Sequence, residues 1–336
     1  MKDDKRPLMV TILCTAYNHE RYIRQCLEGF VMQKTNFRFE AIVHDDASTD
    51  ATASIIREYS AKYPHIIKPI LQTENQYSQG KKIGAIMAQH FPFGKYIAEC
   101  EGDDYWTDPE KLQRQVDFLE SHPDYSTVCN RTQLYSEYRQ QFVGENRCYE
   151  KSQAIEVKDV IVQGGLFIST CSLLYRKSIL PATLPDYWQR CHVGDYPLQI
   201  HAAMSGKIYY FDEAMSVYRV ENKSSWAGRR ETISIDELIA TVKSEVQMLE
   251  GFAVDYPQYE RFFSERIRFF IKTQCPYKTA TREDLQKYFD AFQEEIIRYG
   301  MSSKIKVKIR SFCHNLLRTL RPHKFMHLLQ KLHLIY

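Results

Sequence analysis

The stretch Phe39-Glu40-Ala41-Ile42-Val43-His44-Asp45-Asp46-Ala47-Ser48-Thr49-Asp50 decides how this chain folds. A short apolar run, too short for a helix, stops abruptly at a cluster of acids and small polar residues. Such a run reads as a buried strand, and the cluster as the turn at its carboxyl end. The same design recurs at Lys95-Tyr96-Ile97-Ala98-Glu99-Cys100, which leads into Glu101-Gly102-Asp103-Asp104. In an open α/β sheet the carboxyl ends of parallel strands are the edge that binds ligands. Carboxylates gathered from two strands at that edge suit a divalent cation and a phosphorylated substrate.

Reading outward, Val10 to Ala16 is a first strand that ends in Thr15-Ala16-Tyr17-Asn18. Tyr22, Ile23, Cys26, Leu27, Phe30 and Val31 recur at helical spacing after it. Ser48 or Thr49 is placed to cap the helix that carries Ile55, Ile56 and Tyr59. A third strand is expected over His65 to Leu71, a helix over Ile83 to His90, and a helix start at Asp108-Pro109-Glu110. This alternation predicts an α/β fold with a mostly parallel sheet and right-handed crossovers. Further strands are expected at 125–129, 166–175, 207–211 and 214–220, a helix from Gly194 to Met204, and helices from Ser224 to near 320.

Composition narrows the class. Of the 336 residues, 44% are hydrophobic and 26% charged, as in folded soluble proteins and unlike disordered chains. The chain has no apolar run of membrane-spanning length. Its first residues mix acids with bases, which argues against a secretory signal. Nine cysteines without a CxxC pair favour reduced, buried thiols in a cytoplasmic protein. The net charge of +3 conceals a division, because residues 301–336 hold eight Lys or Arg and no acid, leaving the preceding body acidic.

Four markers in order give the chain a family likeness: Thr15-Ala16-Tyr17-Asn18, Asp45-Asp46-Ala47-Ser48-Thr49-Asp50, Glu101-Gly102-Asp103-Asp104, and Gly194-Asp195. Over residues 8–222 it resembles the family 2 glycosyltransferases of GT-A (nucleotide-diphospho-sugar transferase) fold that build bacterial capsule and lipopolysaccharide. The resemblance implies a transferase domain over 1–225 and a helical extension over 226–336. It also implies an inverting, metal-dependent transfer from a nucleotide-sugar, in the first instance a UDP-sugar, to a hydroxyl of a glycan or lipid-linked glycan.

The resemblance places Thr15, Tyr17 and Asp46 around the nucleotide base, with Asp103 at the ribose or behind the metal. Asp104 becomes the direct ligand of Mn²⁺ or Mg²⁺, hard cations that take few protein carboxylates plus phosphate oxygens. Glu101 stands where many relatives carry the first acid of a DxD motif. Asp195 is the candidate general base, since single displacement needs one carboxylate opposite the leaving group. Gly194 would allow close approach there, and a helix start tolerates the charge. His192 is an alternative base, and Lys82, with Lys81, is placed to meet the diphosphate. Ser48 and Asp50 read equally as turn residues.

The family's usual His or Gly-rich segment after the Tyr218-Arg219-Val220 strand is replaced by Glu221-Asn222-Lys223-Ser224-Ser225-Trp226, which leaves Trp226 as an acceptor platform. The QxxRW signature of processive synthases is absent, favouring single additions. Ile305, Ile309, Phe312, Leu316, Leu317 and Leu320 form an apolar face beside basic residues, suited to peripheral contact with anionic lipid at the inner face of the cytoplasmic membrane. Nucleic acid is not expected as a partner, because no known module surrounds the basic tail. Two other functions share parts of the pattern. A sugar nucleotidyltransferase would want a Gly-rich basic loop after the first strand, and a non-catalytic glycan-binding protein would not need its acids at 46, 103, 104 and 195.

Overall fold

The structure is a computed structural model that describes residues 6–221, 233–276 and 280–301. Two compact units divide the chain, Met1–Thr232 and Ile233–Tyr336. Trp226 and the basic face from Ile305 onward lie outside the described residues.

The first unit is built on one mixed sheet in the order β3-β2-β1-β4-β9-β6-β10-β5, with β7 beside β6 and β8 beside β10. Its first four members are parallel: β1 (Leu8–Ala16), β2 (Arg38–Asp45), β3 (Ile67–Leu71) and β4 (Tyr96–Glu99). The helices α1 (Ile23–Val31), α2 (Thr52–Lys62) and α3 (Ile83–His90) connect them. β1 lies between β2 and β4, which is why Val10, Ile12 and Cys14 are wholly buried. Parallel strands covered on both faces read as unbroken apolar runs, and this half of the sheet follows the sequence closely.

The second half is less regular. β5 (Tyr105–Trp106), α4 (Lys111–Ser121), β6 (Tyr125–Ser136), β7 (Gln141–Asn146), β8 (Gln153–Ile155) and α5 (Val157–Gln163) come first. β9 (Leu174–Arg176), α6 (Asp186–Gln189), α7 (Asp195–Ser205) and β10 (Lys207–Val220) complete the unit. β10 runs parallel to β6 along nearly its whole length, whereas the antiparallel pairings of β9, β5 and β8 are short. The two strands expected at 207–211 and 214–220 are one strand, with register shifts between Phe211 and Ser216 that pass through Asp212 and Glu213. A strand expected across 166–175 is confined to β9, because Thr170–Ser172 forms a 3₁₀ turn and Val157–Gln163 a helix before it.

The cap expected of Ser48 or Thr49 is not made. α2 begins after Ala51 with no side-chain cap of its own. Its first amides are met by Glu20, which accepts from Ala51 N at 2.9 Å, and by Asp50, which accepts from Thr52 N at 2.9 Å. Ser48 and Thr49 instead bind Asn18, whose backbone N–H donates to Ser48 Oγ and whose Oδ1 accepts from Thr49 N. Together these contacts lock the loops after β1 and β2 to each other.

α1 packs on β5 through Gly29. A Cβ there would stand 2.9 Å from Trp106 N and 3.1 Å from its carbonyl oxygen. Phe30 meets the Trp106 ring edge-on at 5.0 Å. Gly29→Ala gains up to about 1 kcal/mol of helix propensity and meets an overpacking cost of about 1–3 kcal/mol. Backbone atoms cannot rotate away, so we expect net destabilisation, read as a lower Tm; an unchanged or raised Tm would contradict this packing.

The second unit, within itself, is a set of helices: α8 (Ile235–Asp255), α9 (Glu260–Gln274), α10 (Arg282–Ala291) and α11 (Gln293–Arg298). Capping boxes at Ser234/Glu237 and Thr281/Asp284 start α8 and α10. Phe252 stacks on Phe263 at 6.2 Å, and buried Tyr288 donates to the Ile271 carbonyl at 2.8 Å. The eight described cysteines are free thiols, and only Cys148 is not fully buried. Among the described residues no helix is long and apolar enough to cross a membrane.

Candidate active site

Both acidic clusters hang from the end of β1. The Ala16 carbonyl accepts the Asp46 N–H at 2.9 Å, and the Thr15 carbonyl accepts the Gly102 N–H at 2.8 Å. One strand end therefore fixes the two turns side by side, at the carboxyl edge of the parallel strands. Gly102 fits closely there, because a Cβ would lie 2.9 Å from His19 Nδ1 and 3.0 Å from side-chain atoms of Ala16 and Ile23.

The first cluster is largely committed to holding loops. Asp46 is buried, and its carboxylate accepts from the backbone N–H groups of Gln76 (2.7 Å) and Tyr77 (3.0 Å). Its own carbonyl accepts from Asn75 Nδ2 at 3.1 Å. The 74–79 loop is thereby tied against the end of β2. Tyr17 is exposed beside it, and Thr15 is half-buried. Asp45 accepts from Ser48 N, and Asp50 from Glu20 N and Thr52. Ser48 and Asp50 are thus turn-forming residues. Lys81 Nζ donates to Gln76 Oε1, while Lys82 Nζ reaches the Cys191 carbonyl at 3.2 Å, on the segment leading to Asp195.

The second cluster is where charge accumulates. Asp104 is buried; its Oδ1 accepts from the Arg219 N–H at 2.9 Å, and its Oδ2 has no partner among the described residues. Burial, then the nearby Asp103 and Glu101, push its carboxyl well above the usual carboxylate range. Glu101 is pushed up to about 8 by enclosure in the protein and by Asp103, Asp195 and Glu99. Glu101 is exposed at the surface, and the three neighbouring acids add to the effect of enclosure.

Asp195 opens α7, and its Oδ1 accepts from the Tyr196 N–H at 2.8 Å. The helix N-terminus favours its negative form, yet burial outweighs this and raises its carboxyl. Gly194 is not there to admit packed protein atoms, since a Cβ would meet nothing within 4 Å. His192 is exposed.

Three further residues belong to the site. Glu99, in β4, accepts from the Tyr175 hydroxyl at 2.7 Å and is pushed up to about 7, first by burial. His19 Nε2 stands 4.0 Å from Asp103 Oδ2, with its Nδ1 lacking a hydrogen-bond partner among the described residues. Burial lowers its pKa, so it is a neutral neighbour near pH 7. Arg219 binds the Asp103 carbonyl and Gln25, and pairs with Glu137 at 2.8 Å. His19 follows directly on Thr15-Ala16-Tyr17-Asn18, and Glu99 is a lone charge in an apolar strand; those were the available signals.

The sequence pattern of glycosyl transferase family 2 matches residues 11–183, more than half of the chain and all of the strands that carry both clusters. The chain belongs to this family. It is 37% identical over 220 residues to an uncharacterized protein of Mycobacterium tuberculosis, a match covering 65% of this chain and 60% of that one. The chain thus aligns with about 60% of that curated relative's length. Its fold is that of S. aureus TarS in complex with UDP-GlcNAc, with a TM-score of 0.64 at 16% identity over 86% of this chain and 81% of that one. The mannosyltransferase PcManGT from Pyrobaculum calidifontis, in complex with GDP-Man and Mn²⁺, gives a TM-score of 0.54 at 14% identity over 99% and 86%. The expected GT-A, Rossmann-like architecture is therefore the one found.

Proposed function

We propose that this family 2 glycosyltransferase transfers a sugar, with inversion, from a nucleotide-diphospho-sugar to a hydroxyl of a glycan or lipid-linked glycan in surface polysaccharide synthesis. One observation carries the reading. At the sheet edge Glu101 stands within electrostatic reach of Asp103, Asp195 and Glu99, and Asp104 within reach of Asp103 and Glu101. Acids crowded in this way, with the buried Asp104 Oδ2 unpartnered among the described residues, call for a cation and a base. TarS with UDP-GlcNAc supports a UDP-sugar as the first donor to test.

The residues fit a divalent cation. Asp104 Oδ2 is buried and unpaired among the described residues, and its neighbours are acids. Among the described residues no group of three or more His, Cys, Asp or Glu could cage an ion alone. That suits Mg²⁺ or Mn²⁺, which complete their shells with substrate phosphates and water. Asp104 would hold it, and when bound it supplies Lewis-acid stabilisation of the departing diphosphate. Asp103 sits beside it for the ribose. Tyr17, Thr15 and the unused lone pairs of Asp46 border the space for the base. Lys82, whose Nζ reaches the segment before Asp195, is a cation placed for the diphosphate. Asp195 takes the acceptor hydroxyl's proton at its carboxylate as the new bond forms.

A thermal-shift panel of nucleotide-sugars with Mn²⁺ or Mg²⁺ tests this. A donor at 100 times its Kd adds about 2.7 kcal/mol of stability. We expect a UDP-sugar with Mn²⁺ to give the largest rise in Tm. The same flat Tm with every nucleotide-sugar and metal would reject the reading.

A further inference from the structure

We infer that Arg219 is a positioning residue for the Asp103-Asp104 turn, setting the geometry with which those carboxylates meet the donor and its cation. The inference rests on the cation reading above. Arg219 is the penultimate residue of β10 and is 6% exposed. It engages the turn twice, through its backbone N–H to Asp104 Oδ1 at 2.9 Å, a bond that any residue but proline keeps, and through the side-chain Nη1 to the Asp103 carbonyl, the contact that belongs to the arginine. The first bond fixes which Asp104 oxygen is spent and which is left open. The second fixes the peptide between the two acids.

The guanidinium is itself held on every side. Nη2 donates to Gln25 on α1, and Nε pairs at 2.8 Å with Glu137, just beyond β6. The Tyr22 and Tyr105 rings lie 5.0 Å and 4.6 Å from it. A buried cation needs a partner, and Glu137, which also faces Arg21 at 3.8 Å, supplies it. A planar fork with fixed donor directions can make these contacts together, and an ammonium cannot.

Charge and geometry make opposite forecasts. As a charge alone, Arg219 repels a cation at Asp104, so its loss would tighten metal binding. As a positioning group, its loss weakens binding, and Arg219→Lys weakens it too although the charge is kept. The test uses the full chain, with Mn²⁺ affinity in saturating UDP measured by calorimetry and Tm recorded beside it. Arg219→Lys is expected to weaken Mn²⁺ binding about 10–100-fold, the usual effect of losing an outer-shell partner. Gln25→Ala, at an exposed position on α1, removes the acceptor of Nη2 and is expected to shift affinity in the same direction by less. Wild-type Mn²⁺ affinity in both variants, or in Gln25→Ala alone should Arg219→Lys not fold, overturns the inference. Asp104→Asn is the separate control: if it binds Mn²⁺ with UDP as the parent does, the cation reading itself falls.

Discussion

Asp104→Asn is expected to cut metal-supported transfer by about 10²–10³-fold, the equivalent of several kcal/mol of charge stabilisation on the leaving diphosphate. It should do so without harming the fold. Asn keeps an oxygen to accept the Arg219 N–H, and it removes a buried carboxyl whose ionisation burial, Asp103 and Glu101 oppose. The cation-free variant should therefore melt no lower than the parent, and higher at alkaline pH.

The sign follows from linkage. A carboxyl whose pKa is raised on folding keeps its proton in the folded state where the unfolded chain has released it. Stability then falls as pH rises, from the ordinary carboxylate value near about 4 to the raised value, about 7 for Glu99 and about 8 for Glu101. The parent in EDTA should melt lower at pH 8 than at pH 6, Mn²⁺ with UDP should recover part of the loss, and Asp104→Asn should show a shallower decline. Undiminished metal-stimulated turnover in the variant would refute the ligand assignment. A marked drop in its cation-free Tm would show that Asp104 is needed for the fold itself.

The parallel half of the sheet was legible because its physics is local. Buried strands β1, β2 and β4 must be apolar, they must end in turn residues, and the helices between them must alternate at 3.6 residues. The carboxylates at 46, 103, 104 and 195 could be picked out for the same reason, since each stands just past a strand or at a helix start. What was hidden depends on partners far away in sequence. Arg219 reads as one more strand residue until Gln25 and Glu137 are seen around it. The helix Val157–Gln163 and the two-residue strand β5 owe their form to neighbours, not to a period of their own. Asp46 shows a third case: its position was legible, but the two amides bound to its carboxylate were not.

Asp195→Asn carries the other large effect. A positioned general base contributes about 10²–10⁴-fold, so kcat should fall by that factor with donor and Mn²⁺ binding unchanged. Burial raises the Asp195 carboxyl, so the fraction in the basic form declines at a higher pH than for an ordinary aspartate. The parent's kcat should accordingly drop as pH is lowered, along a limb displaced upward from the usual carboxylate range. Asn has no proton to lose, so the residual activity of the variant should be flat across that limb. The amide still accepts from the Tyr196 N–H, so α7 keeps its start and a loss of kcat is not a loss of fold. Comparing kcat against pH for the two proteins separates the possible bases. If the variant retains the limb and near-parental kcat, Asp195 is not the base, and exposed His192 would be next to test. If the limb survives while kcat collapses, the titrating group is elsewhere in the acid cluster, with Glu101 and Glu99 both near enough to govern it. Only joint loss of rate and limb assigns the proton to Asp195.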